Sequence, residues 1–141
     1  MGIQHEISKH ILLLDGAMGT QIQLLNLKEE DYRGENFKDH PTSLKGNNDL
    51  LCITRPHLIE RIHLNYLEAG ANMIETNTFN AQRISLEDYV LTHIAYELNV
   101  AAANVAVNAR NKFQQEHPEA LPAFVAGAIG PTSKTCSLSP D

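Results

Sequence analysis

Hydrophobic and polar positions follow one another along the chain in blocks that predict strands and helices in alternation. Short apolar blocks, each closed by polar or glycine residues, predict buried strands over residues 11–15, 72–76 and 123–129. The first of these blocks ends at the turn signal Asp15-Gly16, and the third ends at Gly130-Pro131. Loops rich in Gly, Asn and Thr therefore follow all three expected strands.

Amphipathic helices are predicted between the strands. Apolar residues recur every three or four positions from Leu58 to Ala69, which predicts a helix over residues 56–69. The same spacing continues from Leu86 to Phe113 and predicts one long helix over residues 86–116. Shorter helices are expected in the first ten residues and over residues 21–27.

The alternation of strand and helix predicts an α/β fold with a parallel sheet and right-handed crossovers. An eight-stranded barrel of this class takes about 250 residues, whereas this chain has 141. Three strands make either a small open-sheet domain or part of a larger barrel, and no helix follows the third strand. We therefore expect about three parallel strands with outer helices, incomplete at the C-terminal end.

A long polar segment interrupts the pattern between the first and second strands. Residues 28–48 are rich in charged side chains and contain Gly34, Pro41 and Gly46. We expect a loop here, with a helical turn near residues 29–32. A loop of this length inside a compact domain usually serves a function or acts as a lid.

Composition excludes several classes of protein. Apolar residues make up 43% and charged residues 20% of the chain, which is enough for a core and argues against disorder. The net charge is -6 without a basic stripe, so no nucleic acid or anionic membrane is expected as a partner. No apolar run suits a membrane span or a signal peptide, which predicts a cytoplasmic location. Cys52 and Cys136 are expected to be free thiols.

Five sequence motifs follow one another in an order that resembles a known family. They are ILLLDGAMGT (11–20), YRGENF (32–37), LKGNNDLL (44–51), EAGANMIETNTFNA (68–81) and VAGAIGPTSKT (125–135). The first and fourth are similar to the homocysteine S-methyltransferase family in general. The stretch from RGENF to GNNDLL resembles, more narrowly, the cobalamin-dependent methionine synthases within that family.

The resemblance implies that residues 1–141 form the N-terminal part of a homocysteine-binding (β/α)8 barrel, or TIM barrel. In such enzymes zinc binds the homocysteine sulfur, and methylcobalamin, recharged by 5-methyltetrahydrofolate, supplies the methyl group that makes methionine. Folate-, cobalamin- and activation-domains lie downstream and are the implied partners. Betaine or S-methylmethionine as the methyl donor, and a non-catalytic truncated module, remain alternatives.

The resemblance also bears on the metal. The family holds zinc with three cysteines that lie beyond residue 141, and neither Cys52 nor Cys136 matches them. We therefore expect no catalytic residue and no metal ligand in this segment. We also expect no zinc or cobalamin to bind to it alone, and the segment alone to be inactive.

Candidate substrate-binding residues follow the first strand. Asp15 and Gly16 match the Asp-Gly pair that the family places at the homocysteine site. The Asp15 carboxylate suits the substrate ammonium, and Gly16 and Ala17 leave backbone N–H groups open to the substrate carboxylate. The alternative for Asp15 is a cap of the helix that follows, a common role for aspartate.

Further candidates follow the second and third strands. The loop Asn77, Thr78, Phe79 and Asn80 combines small polar groups with one aromatic ring, which suits an amino acid with an apolar stem. The family places an aromatic pair here; Phe79 matches its first member and Asn80 departs from the second. Alternatively, these side chains satisfy hydrogen bonds of a turn. Gly130 belongs to a turn that either favours an anion or simply makes a rigid strand exit.

Overall fold

The computed structural model describes residues 2–134. Its α-helices are α1 (Ile3–Ile7), α2 (Met18–Leu24), α3 (Glu29–Arg33), α4 (Leu51–Thr54), α5 (Pro56–Glu68), α6 (Arg83–Leu86) and α7 (Ala95–Glu116). Three short 3-10 helices cover Asn48–Leu50, Glu87–Tyr89 and Thr92–Ile94. The strands are β1 (Met73–Glu75) and β2 (Phe124–Ala126).

The sheet is parallel, as the alternation of strands and helices predicts. Strands β1 and β2 pair with Ile74 opposite Val125. Leu14 joins β1 on the other side through a single parallel bridge to Met73. Three chain segments therefore lie side by side, with β1 in the middle.

The prediction of a strand over residues 11–15 is wrong, because only a single bridge at Leu14 is found there. The other two strands are shorter than predicted. Among the described residues the sheet has two strands and one bridge. Ile11 is 87% exposed, and Leu13 and Leu14 are more than half exposed. Because these side chains have little to pack against here, only the backbone pairing around Leu14 remains.

Helices α5 and α7 pack against each other and against one face of the sheet. The prediction for residues 56–69 is confirmed by α5, where Pro56 takes the first helical position that proline tolerates. The small side chains of α7 at Ala102, Ala106 and Ala109 are buried. Ile74 of β1 is buried in one apolar cluster with Ala106 and Ala109 of α7, whereas Ala102 belongs to a second apolar cluster.

The prediction of one helix over residues 86–116 is wrong in its first third. Helix α7 begins only at Ala95, and residues 83–94 form α6 and two 3-10 turns. The break lies at Val90, which has a left-handed backbone with φ of 57°. Leu86 and Ile94 are nevertheless buried, so the apolar spacing reflects burial across a kinked segment.

The polar segment 28–48 is an ordered structure built around α3. The Arg33 guanidinium donates hydrogen bonds to four backbone carbonyl oxygens, those of Phe37, Lys38, His40 and Thr42. The Glu29 carboxylate accepts from Arg33 and from Ser43, Leu44 and Lys45. Partial burial raises the pKa of Glu29, but these hydrogen bonds outweigh it and lower the pKa to about 2.

Candidate functional site

A cleft of about 400 Å³ opens at the carboxyl ends of the parallel segments. Loops after Leu14, after β1 and after β2 contribute to it, and the 3-10 helix Asn48–Leu50 forms a further wall. Its lining residues are Asp15, Gly16, Ala17, Met18, Gly19, Asn48, Asp49, Glu75, Thr76, Asn77, Phe79, Asn80 and Ala128. The cleft thus lies where parallel α/β proteins usually carry their chemistry.

Asp15 is held at the start of this cleft by the sheet. Its N–H donates to the carbonyl oxygen of Met73 at 2.8 Å. Both oxygens of its carboxylate accept from the N–H of Glu75, each at 3.1 Å. Burial raises the pKa of Asp15 to about 6, the hydrogen bond from Glu75 opposes that shift, and the Glu75 charge adds to it. At neutral pH the carboxyl group is therefore mostly ionised.

The helix that follows Asp15 begins later than a capping role would need. Helix α2 covers Met18–Leu24, earlier than the predicted 21–27, and Ala17 stands at its N-cap without a side-chain hydrogen bond. The structure therefore does not support Asp15 as a helix cap. Gly16 and Ala17 line the cleft beside it, and a methyl group added at Gly16 would meet nothing within 4 Å.

The first half of the loop after β1 holds the strands together. Asn77 donates from Nδ2 to the carbonyl oxygen of Asn48 at 2.8 Å. Thr78 donates from Oγ1 to the carbonyl oxygen of Ala128 at 2.8 Å and shares a hydrogen bond with Thr76. Asn77 and Thr78 are both buried. Their hydrogen bonds fit the turn interpretation, and of these two only Asn77 reaches the wall of the cleft.

The second half of this loop faces the cleft. Phe79 lines the cleft with 55% of its surface exposed. The Asn80 N–H donates to Oδ2 of Asp49 at 2.6 Å. Gly130 lies behind Phe79: a Cβ atom there would overlap the carbonyl oxygen of Phe79 and lie 2.9 Å from two of its ring carbons. Gly130 is thus brought to the site as a support for Phe79, and does not line the cleft.

Asn48 and Asp49 line the cleft, although they were not predicted as site residues. Asp49 is only 3% exposed, and burial raises its pKa to about 6 while the hydrogen bond from Asn80 opposes that shift. Asn48 also accepts a hydrogen bond from the Tyr32 hydroxyl at 3.1 Å. The signal was the motif LKGNNDLL, whose leucines Leu44, Leu50 and Leu51 are all fully buried and anchor the polar residues between them.

The described residues do not fit a zinc site. Within residues 2–134 there is no group of three or more His, Cys, Asp or Glu side chains that could hold a metal ion. Cys52 is buried, and burial raises the pKa of its thiol to about 12. A single thiol does not make a zinc site, which takes three or four ligands. Cys136 lies outside the described residues.

Comparisons with known proteins find a family model and solved structures that this chain resembles. A family model described as homocysteine S-methyltransferase matches residues 12–141. The metallated form of the homocysteine methyltransferase MmuM from Escherichia coli is similar to this chain, with a TM-score of 0.69 and 26% identity over 89% of the chain. The oxidized form of that enzyme gives a TM-score of 0.73 over 92% of the chain.

The chain spans 40% of the length of these solved proteins. The likeness therefore extends over less than half of each of those proteins. None of the helices within residues 2–134 combines the length and the apolar character needed to cross a membrane.

Proposed function

Because the chain belongs to the homocysteine S-methyltransferase family, we propose that it forms the N-terminal part of the homocysteine-binding domain of a methionine synthase. The proposed reaction transfers a methyl group from methylcobalamin, recharged by 5-methyltetrahydrofolate, to the sulfur of homocysteine and gives methionine. The narrower choice within the family is supported by the motifs YRGENF and LKGNNDLL, which resemble the cobalamin-dependent enzymes. The folate-, cobalamin- and activation-domains of such an enzyme are the proposed partners.

The ammonium group of homocysteine is proposed to bind the Asp15 carboxylate. The single observation that carries this proposal is an ionised carboxylate fixed by the Glu75 N–H at the mouth of a cleft. A substrate ammonium would stabilise that charge by a charge-assisted hydrogen bond. The N–H groups of Gly16 and Ala17 would take the substrate carboxylate.

The remaining cleft residues suit the stem of the substrate. Phe79 offers an exposed apolar surface to the cleft, and Gly130 lies against that ring. Asn77, Thr78 and Asn80 complete the proposed substrate loop, with Thr78 acting through the strand ends and the other two at the cleft wall.

The chemical need for such positioning follows from the acidity of thiols. A free thiol has a pKa near 8.5, so little thiolate exists at neutral pH. A zinc ion, when bound, would supply the deprotonation of the sulfur, and its ligands are expected outside the described residues. The contribution of this chain is to hold the ammonium and carboxylate groups of homocysteine so that its sulfur is oriented for the reaction.

The methyl donor is tested by offering each donor separately. The purified complete enzyme that contains this segment is supplied with homocysteine and, in parallel reactions, with methylcobalamin and 5-methyltetrahydrofolate, with S-methylmethionine, or with betaine. Methionine is measured by mass spectrometry, and the proposal expects it only in the first reaction. Methionine formed from S-methylmethionine or betaine alone would show that the protein belongs to another branch of the family.

The non-catalytic alternative has its own signature. A protein that binds homocysteine in a calorimeter but makes no methionine with any of the donors would be a binding module. A protein that neither binds nor methylates homocysteine would contradict the proposed function altogether.

A further inference from the structure

We propose that Asp49 is a positioning residue of the cleft, which holds the turn 77–80 so that Phe79 and Asn80 face the bound substrate. The inference rests on the proposed function for its effect on homocysteine, but its structural part can be tested without any ligand. Asp49 stands on the 3-10 helix Asn48–Leu50, far in sequence from the turn that it holds.

The first observation is the bond between Asp49 and the turn. The backbone N–H of Asn80 donates to Oδ2 of Asp49 at 2.6 Å. A carboxylate that accepts from an N–H makes a shorter and stronger hydrogen bond than a neutral acceptor does. The side chain of Asp49 is almost wholly buried, so water competes little for this bond.

The second observation is that the same short helix holds the other end of the turn. The carbonyl oxygen of Asn48 accepts from Nδ2 of Asn77 at 2.8 Å. Residues 48 and 49 therefore bind residues 77 and 80, the first and last residues of the turn. The turn is attached at both ends to one rigid element.

The third observation is the contact on the far side of the turn. Gly130 touches the carbonyl oxygen and the ring of Phe79 so closely that no side chain fits there. The turn therefore lies between the 3-10 helix and the strand exit at Gly130. Releasing Asn80 would free the C-terminal end of the turn, because the bonds of Thr76 and Thr78 to Ala128 hold only its beginning.

Two substitutions separate the hydrogen bond from the charge. In the complete enzyme, Asp49→Ala removes the acceptor, and we expect the KM for homocysteine to rise about tenfold or more, because a bond to a charged group is lost. Asp49→Asn keeps an oxygen that can accept from Asn80, so its KM should rise only about threefold. In both variants kcat should change less than KM, because Asp49 touches the turn and not the reacting sulfur. The exposed Asp39→Ala is the matched control and should leave both constants unchanged.

Hydrogen exchange of the Asn80 amide tests the same bond without substrate. We expect strong protection in the unsubstituted protein and in Asp49→Asn, and loss of about tenfold or more of that protection in Asp49→Ala. If Asp49→Ala does not fold, the pH dependence decides. Protection of Asn80 in the unsubstituted protein should increase as the pH falls from about 7 to about 4, because burial raises the pKa of Asp49 to about 6 and makes its ionised form more costly in the closed turn than in the opened one. Protection should stay level in Asp49→Asn.

The outcomes distinguish the two proposals. An unprotected Asn80 amide, or protection that ignores both pH and the Asp49→Ala substitution, overturns the positioning role. An unchanged KM in a folded Asp49→Ala protein also overturns it. A protein that forms no methionine but shows the expected exchange pattern contradicts the proposed function and leaves the Asp49 bond established.

Discussion

Replacing Asp15 with asparagine should stabilise the fold at neutral pH and weaken the binding of homocysteine at the same time. The two effects have opposite signs because the ionised carboxyl group is costly to the fold and useful to the ligand. A residue that served only to hold the structure together would not show this combination.

The size of the first effect follows from the acidity of Asp15. Burial raises its pKa from an ordinary value of 3.8 to about 6, and one pKa unit corresponds to about 1.4 kcal/mol. The ionised group therefore costs the folded protein at most about 3 kcal/mol at neutral pH, and less than that because Asp15 is only half-buried and solvent screens its charge. Asparagine carries no charge and can still accept from the Glu75 N–H. We expect Asp15→Asn to raise the free energy of unfolding by about 1–3 kcal/mol at pH 7.

The raised pKa of Asp15 also determines how the stability of the protein changes with pH. A carboxyl group with a raised pKa stabilises the fold fully below the pKa of the unfolded state, and that contribution is lost as the pH rises through the pKa of the folded state. The stability advantage of Asp15→Asn should therefore be small near pH 4 and grow until about pH 7. It should level off once Asp15 in the unsubstituted protein is fully ionised.

The second effect follows from the lost charge. A hydrogen bond to a charged group contributes about 1.5–3 kcal/mol, so homocysteine should bind about 10- to 100-fold more weakly to Asp15→Asn. The assays are urea unfolding at several pH values and titration calorimetry with homocysteine. Asp39→Asn, at an exposed position, is the control and should change neither quantity. An Asp15→Asn protein that is less stable at pH 7, or that binds homocysteine normally, would refute the reasoning.

Three other substitutions test the parts of the structure around the site. Gly130→Ala should destabilise the protein by about 1–3 kcal/mol, because its methyl group would overlap Phe79; an unchanged urea midpoint would contradict that contact. Glu29→Gln should lower stability by about 1–3 kcal/mol at pH 7, and the loss should disappear as the pH falls from about 4.5 to about 2, through the lowered pKa of Glu29. His63 is fully buried with no hydrogen-bond partner among the described residues, and burial lowers its pKa to about 4. His63→Leu should therefore raise stability by about 1–3 kcal/mol, and it should remove a loss of stability that the unsubstituted protein shows between about pH 6.5 and pH 4. A leucine variant that is less stable than the unsubstituted protein at pH 7 would show that the histidine is satisfied.

The regular part of the fold could be predicted from periodicity. The helix α5 and the parallel pairing of β1 with β2 follow from apolar spacing alone, because burial on one face imposes that spacing. The kink before α7 could not be predicted in this way. Apolar spacing reports which side chains are buried, and Val90 keeps the spacing while its left-handed backbone ends the helix.

The ordered structure of residues 28–48 also could not be predicted from the spacing of apolar residues. Its order comes from Glu29 and Arg33, which bind backbone groups up to 16 positions away. Such bonds leave no repeating pattern in a sequence, so the segment was predicted as a loop. At the cleft, Asp15 could be placed because it follows an apolar block directly. Asp49 could not, because its partner Asn80 is distant in the sequence.

A crystal structure of the purified protein with homocysteine bound would test most directly whether Asp15 binds the substrate. We expect the substrate in the cleft between the Asp15 and Phe79 loops, with its ammonium within hydrogen-bond distance of the Asp15 carboxylate. We also expect the substrate carboxylate at the backbone of Gly16 and Ala17. Homocysteine bound outside this cleft, or bound in it with the ammonium directed away from Asp15, would show that Asp15 does not bind the substrate ammonium.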